Sequence, residues 1–317
     1  MCRLALVNPA SLFQISRAPF VSQLGKALIP KRREPMTREM IIALTGTRGV
    51  LPHIHDGMKL GRTTLYWASP LGRSLRAALL LGARTGVRKA EISLDAGQEF
   101  DRRCASRANL QWHLGGRLYA SPPRGLLESA TREDFVIFTP PLSKSDQTGE
   151  VWGAKPIYLR HKPGDPTCPF AALRDIEVHD PVSGSARTTT PLFTSDTEGS
   201  AIKGSHLKTL LHHMLLAVVG PTRAKVYSFH SLRVYLACAL LASGASAAQI
   251  MALCRWQSEE SLAIYARLGE VDYTRLLERS LRADITSVST ANLPNIGSHM
   301  VLNDLYLHAD AGLADEA

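Results

Sequence analysis

The stretch "HSLRVYLACALLASGA", residues 230–245, opens with a histidine and an arginine three positions apart and then runs through almost unbroken apolar sequence. A helix that is apolar all round is a buried helix, and a buried cation needs a partner. Ser228 is a plausible N-cap, which places His230 and Arg233 in the first turn or so and on one face. There the helix dipole and the unpaired N–H groups already favour an anion. Two cations add to that field, and a phosphate would satisfy both. Taken alone, the pair fits better a packed histidine and an arginine salt-bridged to a nearby carboxylate, since paired structural cations are common. The uncharged run continues to Cys254, but "ASGASAAQ" (242–249) interrupts it, so two buried helices broken near Gly244 are expected rather than one membrane span.

Working outward, residues 228–284 read as four consecutive short helices, preceded by helices in "PFAALRDIEV" (169–178) and "GSHLKTLLHHMLLAVV" (204–219) with a polar loop over 180–200 between them. Further upstream the pattern changes. "NLQWHL" (109–114), "DFVIFTPPL" (134–142) and "AKPIYLR" (154–160) are short, rich in aromatic and β-branched residues and bounded by turn formers, which predicts a small antiparallel sheet. "SKSDQTGEVWG" (143–153) is the polar connection of a β-hairpin. "SLRAALLLGARTG" (74–86) is a helix that ends at Gly86. "PKRREPMTREM" (30–40) combines two prolines, a basic cluster and a Thr-Arg-Glu helix start, a linker feeding a helix. The predicted class is therefore mainly α with a small antiparallel β-sheet (α+β). The expected divisions are an N-terminal segment 1–31, a main domain 32–284 and a tail 285–317.

The 317 residues carry 37 Lys and Arg against 28 Asp and Glu, and the formal charge of +9 favours an anionic partner such as nucleic acid or an acidic membrane. The five cysteines are odd in number and lack CxxC spacing, which argues against a zinc site or disulfide framework and fits a reducing compartment. The N-terminus has too short an apolar run for a signal peptide, and no motif points to a membrane or metabolic role.

Three further pieces carry candidate chemistry. In "TGVRKAE" (85–91), Arg88 follows a helix-ending glycine and Glu91 comes three residues later; a guanidinium fixed on such a turn can contact phosphate oxygens bidentately, or simply be exposed. Lys144 lies in "PPLSKSDQTG" (140–149), where a flexible lysine can reach a cleft as a proton donor or remain solvated. In "CRWQSEESLAIYAR" (254–267), Trp256 and Tyr265 fall on two short helices, and either could be plain core.

The succession Arg88, Lys144, His230 with Arg233, Trp256 and Tyr265 resembles the catalytic set of the tyrosine recombinases, or phage-type integrases, over roughly residues 32–268. "LGARTGVRKAEISLD" looks like the family's first arginine motif, "LSKSDQTG" its hairpin lysine motif, "HSLR" its His-x-x-Arg box and "RWQSEESLAIYAR" its closing box. The wording "SKSDQTG", "CPFAALR", "PLF" and "RWQS" is similar to recombinases of eukaryotic mobile elements such as Cryptons. The resemblance implies a tyrosine recombinase catalytic-domain fold and DNA cleavage and rejoining through a 3′-phosphotyrosyl link. In it Arg88 and Arg233 clamp the phosphate, Lys144 protonates the leaving oxygen and His230 bonds the phosphate or assists proton transfer. Trp256 donates its indole N–H, Tyr265 is the nucleophile, and Glu91 orients Arg88 or His230. No metal or other cofactor is implied. The implied partners are double-stranded DNA and further copies of the chain, as a tetramer on DNA, inside the cell and in the nucleus of a eukaryote. The family normally has a helical DNA-clamping domain ahead of the catalytic one, and residues 1–31 would be at most its remnant. A DNA-binding protein without turnover and a type IB topoisomerase-like activity are the alternatives.

Overall fold

A computed structural model describes residues 33–142, 148, 155–255, 270–283 and 285. Lys144, Trp256 and Tyr265 lie outside the described residues, as do the N-terminal segment 1–31 and nearly all of the tail.

The architecture is α+β, helices around small antiparallel sheets. Helix α1 (Arg38–Leu44) starts where the linker reading puts it, with the Thr37 hydroxyl capping the Met40 N–H. A hairpin follows, β1 (Met58–Leu60) with β2 (Thr63–Leu65), turned by Gly61 at φ 64°. Nothing in the alternation of so short a pair announces it. Helix α2 (Pro70–Thr85) begins one turn earlier than its leucine pattern suggests, because Ser69 caps Gly72 and Pro70 occupies the first helical position. It ends at Gly86, which adopts the left-handed conformation with φ 60° and ψ 27°. Arg88 then caps the single turn α3 (Lys89–Ile92).

The second sheet runs in the order β4-β3-β5-β6, with β3 (Leu110–Leu114), β4 (Arg117–Tyr119), β5 (Phe135–Phe138) and β6 (Ile157–Arg160). The three expected strands are β3, β5 and β6. The fourth is an exposed edge strand joined to β3 through Gly115 and Gly116, both at positive φ, as a two-residue hairpin turn demands. Trp112 faces Val136 and Val136 faces Leu159 across the ladder. That row is fully buried, and Trp112 meets Phe170 edge-on at 5.2 Å. The short helix α4 (Arg124–Glu128) links β4 to β5.

Phe170 belongs to α5 (Pro169–His179), whose lower end is fixed by a buried charge network. Arg187 donates two bonds to Glu177 (2.8 and 3.1 Å) and one to the Arg107 carbonyl, while Arg107 reaches Asp180 at 2.6 Å. This anchor explains why the expected polar loop 180–200 contains a helical turn, α6 (Ala186–Thr189). Helix α7 (Gly204–Ala224) is kinked at Gly220, whose φ of 77° and ψ of 170° are non-helical, just before Pro221.

At the centre lies α8 (His230–Ala242), buried on nearly every face. It packs on α2 and on α10 (Glu270–Arg282). A side chain at Gly82 would meet Leu232 and Phe229 at 3.0 Å, so the α2–α8 approach is set by that glycine. The chain breaks at Gly244 (φ 83°) before α9 (Ala247–Leu253). Of the four helices expected over 228–284, three appear among the described residues. No helix among them is long and apolar enough to cross a membrane, and the four described cysteines are free and buried.

Candidate anion-binding site

The start of α8 and the turn after α2 meet. Ser231 Oγ accepts from the Ser228 N–H at 3.1 Å, so the hydroxyl that ties this helix start is that of Ser231. His230, the first helical residue, remains exposed, while Arg233 is 4% exposed. The Arg233 guanidinium donates to the Gly86 carbonyl at 3.0 Å and to the Arg255 carbonyl at 3.1 Å. Its Cγ would be 3.4 Å from a side chain at Gly86, so this glycine serves both the left-handed turn and the space for the arginine. Burial drives the Arg233 pKa down to about 10, and Arg88 and Arg255 push the same way. Arg233 is therefore a cation at neutral pH, held by neutral carbonyl dipoles.

Glu91 is the buried carboxylate of the cluster, 2% exposed. One oxygen accepts from the Arg88 N–H (2.9 Å) and from Arg255 Nη2 (2.6 Å), and the other from Arg88 Nη1 (3.1 Å). These contacts close a ring in which Arg88 holds Glu91, Glu91 holds Arg255, the Arg255 carbonyl holds Arg233 and Arg233 holds the turn before Arg88. The structure thus brings Arg88, Glu91, His230 and Arg233 together, and adds Arg255, which sequence reasoning missed. Its only signal was a place beside Trp256 in "RWQS".

Arg88 and Arg255 share this carboxylate, and Arg233 lies beside them on the two carbonyls. Cys254, alongside Arg233 and Arg255, supplies no second negative charge, because burial pushes its thiol up to about 12. His230 is held below the usual histidine range by desolvation first and then by Arg233, Arg33 and Arg88, so its ring favours the neutral form. Among the described residues of the cluster the guanidinium groups outnumber the carboxylate, and Arg88, about one-third exposed, is the one that reaches solvent. A cleft of about 530 Å³ opens beside Arg88 and reaches Leu142; Arg88, Arg102 and Arg103 line it against Glu91, Asp95 and Asp101, with Arg103 paired to Asp101 at 2.6 Å. Leu142 leads into the segment that carries Lys144. The partly exposed guanidinium of Arg88, braced by Glu91 and backed by the buried cations Arg233 and Arg255, is suited to contacting an oxyanion. Among the described residues, no group of three or more His, Cys, Asp or Glu is placed to hold a metal ion.

The large ribosomal subunit protein uL23 of Neisseria meningitidis, in serogroup C and in serogroup A, is 29% identical to this chain over 102 residues, 32% of the chain and 94% of the ribosomal protein. No protein-family model matches the chain. No solved structure matches it either.

Proposed function

We propose that this chain is a DNA strand-transferase of the tyrosine recombinase kind, cutting and rejoining duplex DNA through a covalent phosphotyrosine. One observation carries the reading: Arg88 and Arg233, 145 positions apart in the sequence, share one cluster with His230 in which the described guanidinium groups outnumber the carboxylate of Glu91. Such a cluster is matched to a phosphodiester, whose nonbridging oxygens gain charge as a nucleophile adds.

In the proposed reaction the Tyr265 hydroxyl oxygen attacks the phosphorus and its proton passes to the neutral ring of His230. The bond from phosphorus to the 5′-oxygen breaks, and that oxygen takes a proton from Lys144. Arg88 and Arg233 hold the nonbridging oxygens, with Trp256 adding its indole N–H. The 3′-phosphotyrosyl bond conserves the energy of the broken ester, and attack by a 5′-hydroxyl reverses the step. Assembly on DNA as a homotetramer and action on mobile-element ends belong to the same proposal.

A nicked suicide duplex, whose short 5′ fragment diffuses away after cleavage, tests it. Wild-type protein should accumulate a covalent adduct that maps to Tyr265, and Tyr265→Phe should bind the duplex without forming one. An adduct in the Tyr265→Phe protein sinks the residue assignment. Tight DNA binding with no adduct in the wild type would favour the second reading, a DNA-binding protein without turnover, because the Arg88–Arg233 cluster suffices for that.

A further inference from the structure

The segment that follows α3 places a second arginine in the Arg88 cleft. Backbone bonds fix this wall at both ends: the Leu94 N–H donates to the Ile202 carbonyl at 2.9 Å, and the Ala105 N–H to the Glu91 carbonyl at 2.7 Å. Between them the chain closes a tight turn, in which the Cys104 N–H reaches the Asp101 carbonyl at 3.0 Å and Arg102 and Arg103 take the two central positions. Cys104, 4% exposed, pins the end of the turn into the protein. The turn is therefore built onto Glu91, the residue whose carboxylate braces Arg88.

The two arginines of the turn are used differently. Arg103 is taken up locally: Asp101 accepts its N–H at 2.9 Å and its Nε at 2.8 Å, and pairs with Nη2 at 2.6 Å. The Arg103 side chain is also what chiefly holds the Asp101 carboxyl below the usual carboxylate range, and Arg102 contributes least of the groups acting on it. The other carboxylates of the cleft are engaged as well, Glu91 by Arg88 and Arg255 and Asp95 by Lys89 at 3.1 Å. Arg102 is exposed, lines the cleft and makes no hydrogen bond or ion pair among the described residues.

Arg88 and Arg102 thus line one cleft of about 530 Å³ from two different segments. That volume falls in the range of small-ligand pockets, about 300–1,000 Å³, and exceeds what one phosphate group requires. Leu94 and Leu142 add apolar lining suited to a sugar that joins two phosphates. We propose that Arg102 holds the phosphate next to the one at the Arg88–Arg233 cluster on the same DNA strand, so that the cleft seats one nucleotide with a phosphate at each end and fixes the register of the strand. The planar fork of an arginine bonds phosphate oxygens bidentately, and a turn already held by Asp101 and Cys104 loses little freedom on binding. That the ligand is a DNA strand rests on the strand-transfer reading; that two arginines share the cleft does not.

The test uses the full-length chain and two short probes, the dinucleotide TpT, which has one phosphate, and its 5′-phosphorylated form pTpT, which has two phosphates one nucleotide apart. Each competes with a fluorescent duplex for the protein at fixed ionic strength. Wild-type protein should favour pTpT over TpT by about tenfold, the worth of one charge-assisted arginine–phosphate contact. Arg102→Gln should lose that preference while holding TpT within about twofold of wild type, and Arg102→Lys, which keeps the charge without the fork, should retain about threefold. Should glutamine disturb the turn, Arg102→Ala is read in the same way. Duplex binding by Arg102→Gln should also depend on salt less steeply, by about one unit of slope. A pTpT preference that survives in Arg102→Gln overturns the proposal, as does wild-type protein that holds both probes equally. An equal loss for both probes in the variant overturns it too, because Arg102 would then be shaping the cleft rather than holding a second phosphate. The covalent trap reads the reaction instead: wild-type protein that forms no adduct sinks strand transfer and leaves the pTpT preference standing, so the two readings fail separately.

Discussion

Arg255 has a φ of 52°, the only non-glycine residue at positive φ among the described residues. A side chain in that conformation costs about 1 kcal/mol or more, and the cost is met by what the conformation delivers: a guanidinium on Glu91 and a carbonyl on Arg233. Two substitutions separate the strain from the contact. Arg255→Ala keeps the strain and leaves Glu91 short of a buried partner, so it should lower the unfolding free energy by about 3 kcal/mol. Arg255→Gly loses the same ion pair but relaxes the backbone, and urea denaturation should find it about 1 kcal/mol more stable than the alanine variant. If glycine proves no better than alanine, the left-handed turn is not strained. The sequence made four members of this cluster legible, because Arg88, Glu91, His230 and Arg233 fall in short motifs with fixed local spacing. Arg255 was not legible. Its conformation is set by a contact with Glu91, 164 positions away, and no local pattern encodes that.

Among the elements, α2, α5, α8, β3, β5 and β6 were readable because each carries its own period, cap or terminating glycine. Those missed, β1, β2, β4, α3, α4 and α6, are three to five residues long and depend on what they pack against. The turn α6 shows the reason most clearly. Four residues of "ARTT" have no helical pattern, but Arg187 within them is 2% exposed and bound to Glu177 on α5. Glu177 also lies 3.4 Å from Arg107, which is fully buried. Its removal therefore leaves two buried guanidinium groups on carbonyl acceptors, with the half-exposed Asp180 as the carboxylate in reach of one of them. Glu177→Ala should destabilise the protein by about 3 kcal/mol or more, seen as a lower urea midpoint with an unchanged slope. A midpoint at the wild-type value would mean that the network is balanced by something other than this carboxylate.

At the scale of the whole molecule, the net charge of +9 conceals a strong asymmetry along the chain. All 37 Lys and Arg precede residue 283, whereas the last 35 residues carry Asp284, Asp304, Asp310, Asp315 and Glu316 and no Lys or Arg. The region that holds the Arg88–Arg233 cluster is thus more basic than the whole chain suggests. An acidic stretch tethered to a basic domain competes with DNA for the same field, whatever conformation it takes, because charges within about 10 Å interact at 0.1 M salt and those beyond about 3 Å are screened at 1 M. Neutralising three of these acids, Asp310→Asn/Asp315→Asn/Glu316→Gln, raises the net charge without touching that cluster. Non-specific duplex binding should become several-fold tighter at low salt, roughly a 1 kcal/mol change for charges of this number near a phosphate lattice. The gain should shrink steadily as salt rises and disappear near 1 M, since screening removes the repulsion that the acids exerted. Titrations of both proteins at three salt concentrations measure this directly. Parallel lines, with the variant tighter by the same factor throughout, would show that the substitutions created a contact rather than removed a repulsion; coincident lines would show that the acidic stretch lies too far from the bound duplex to be felt.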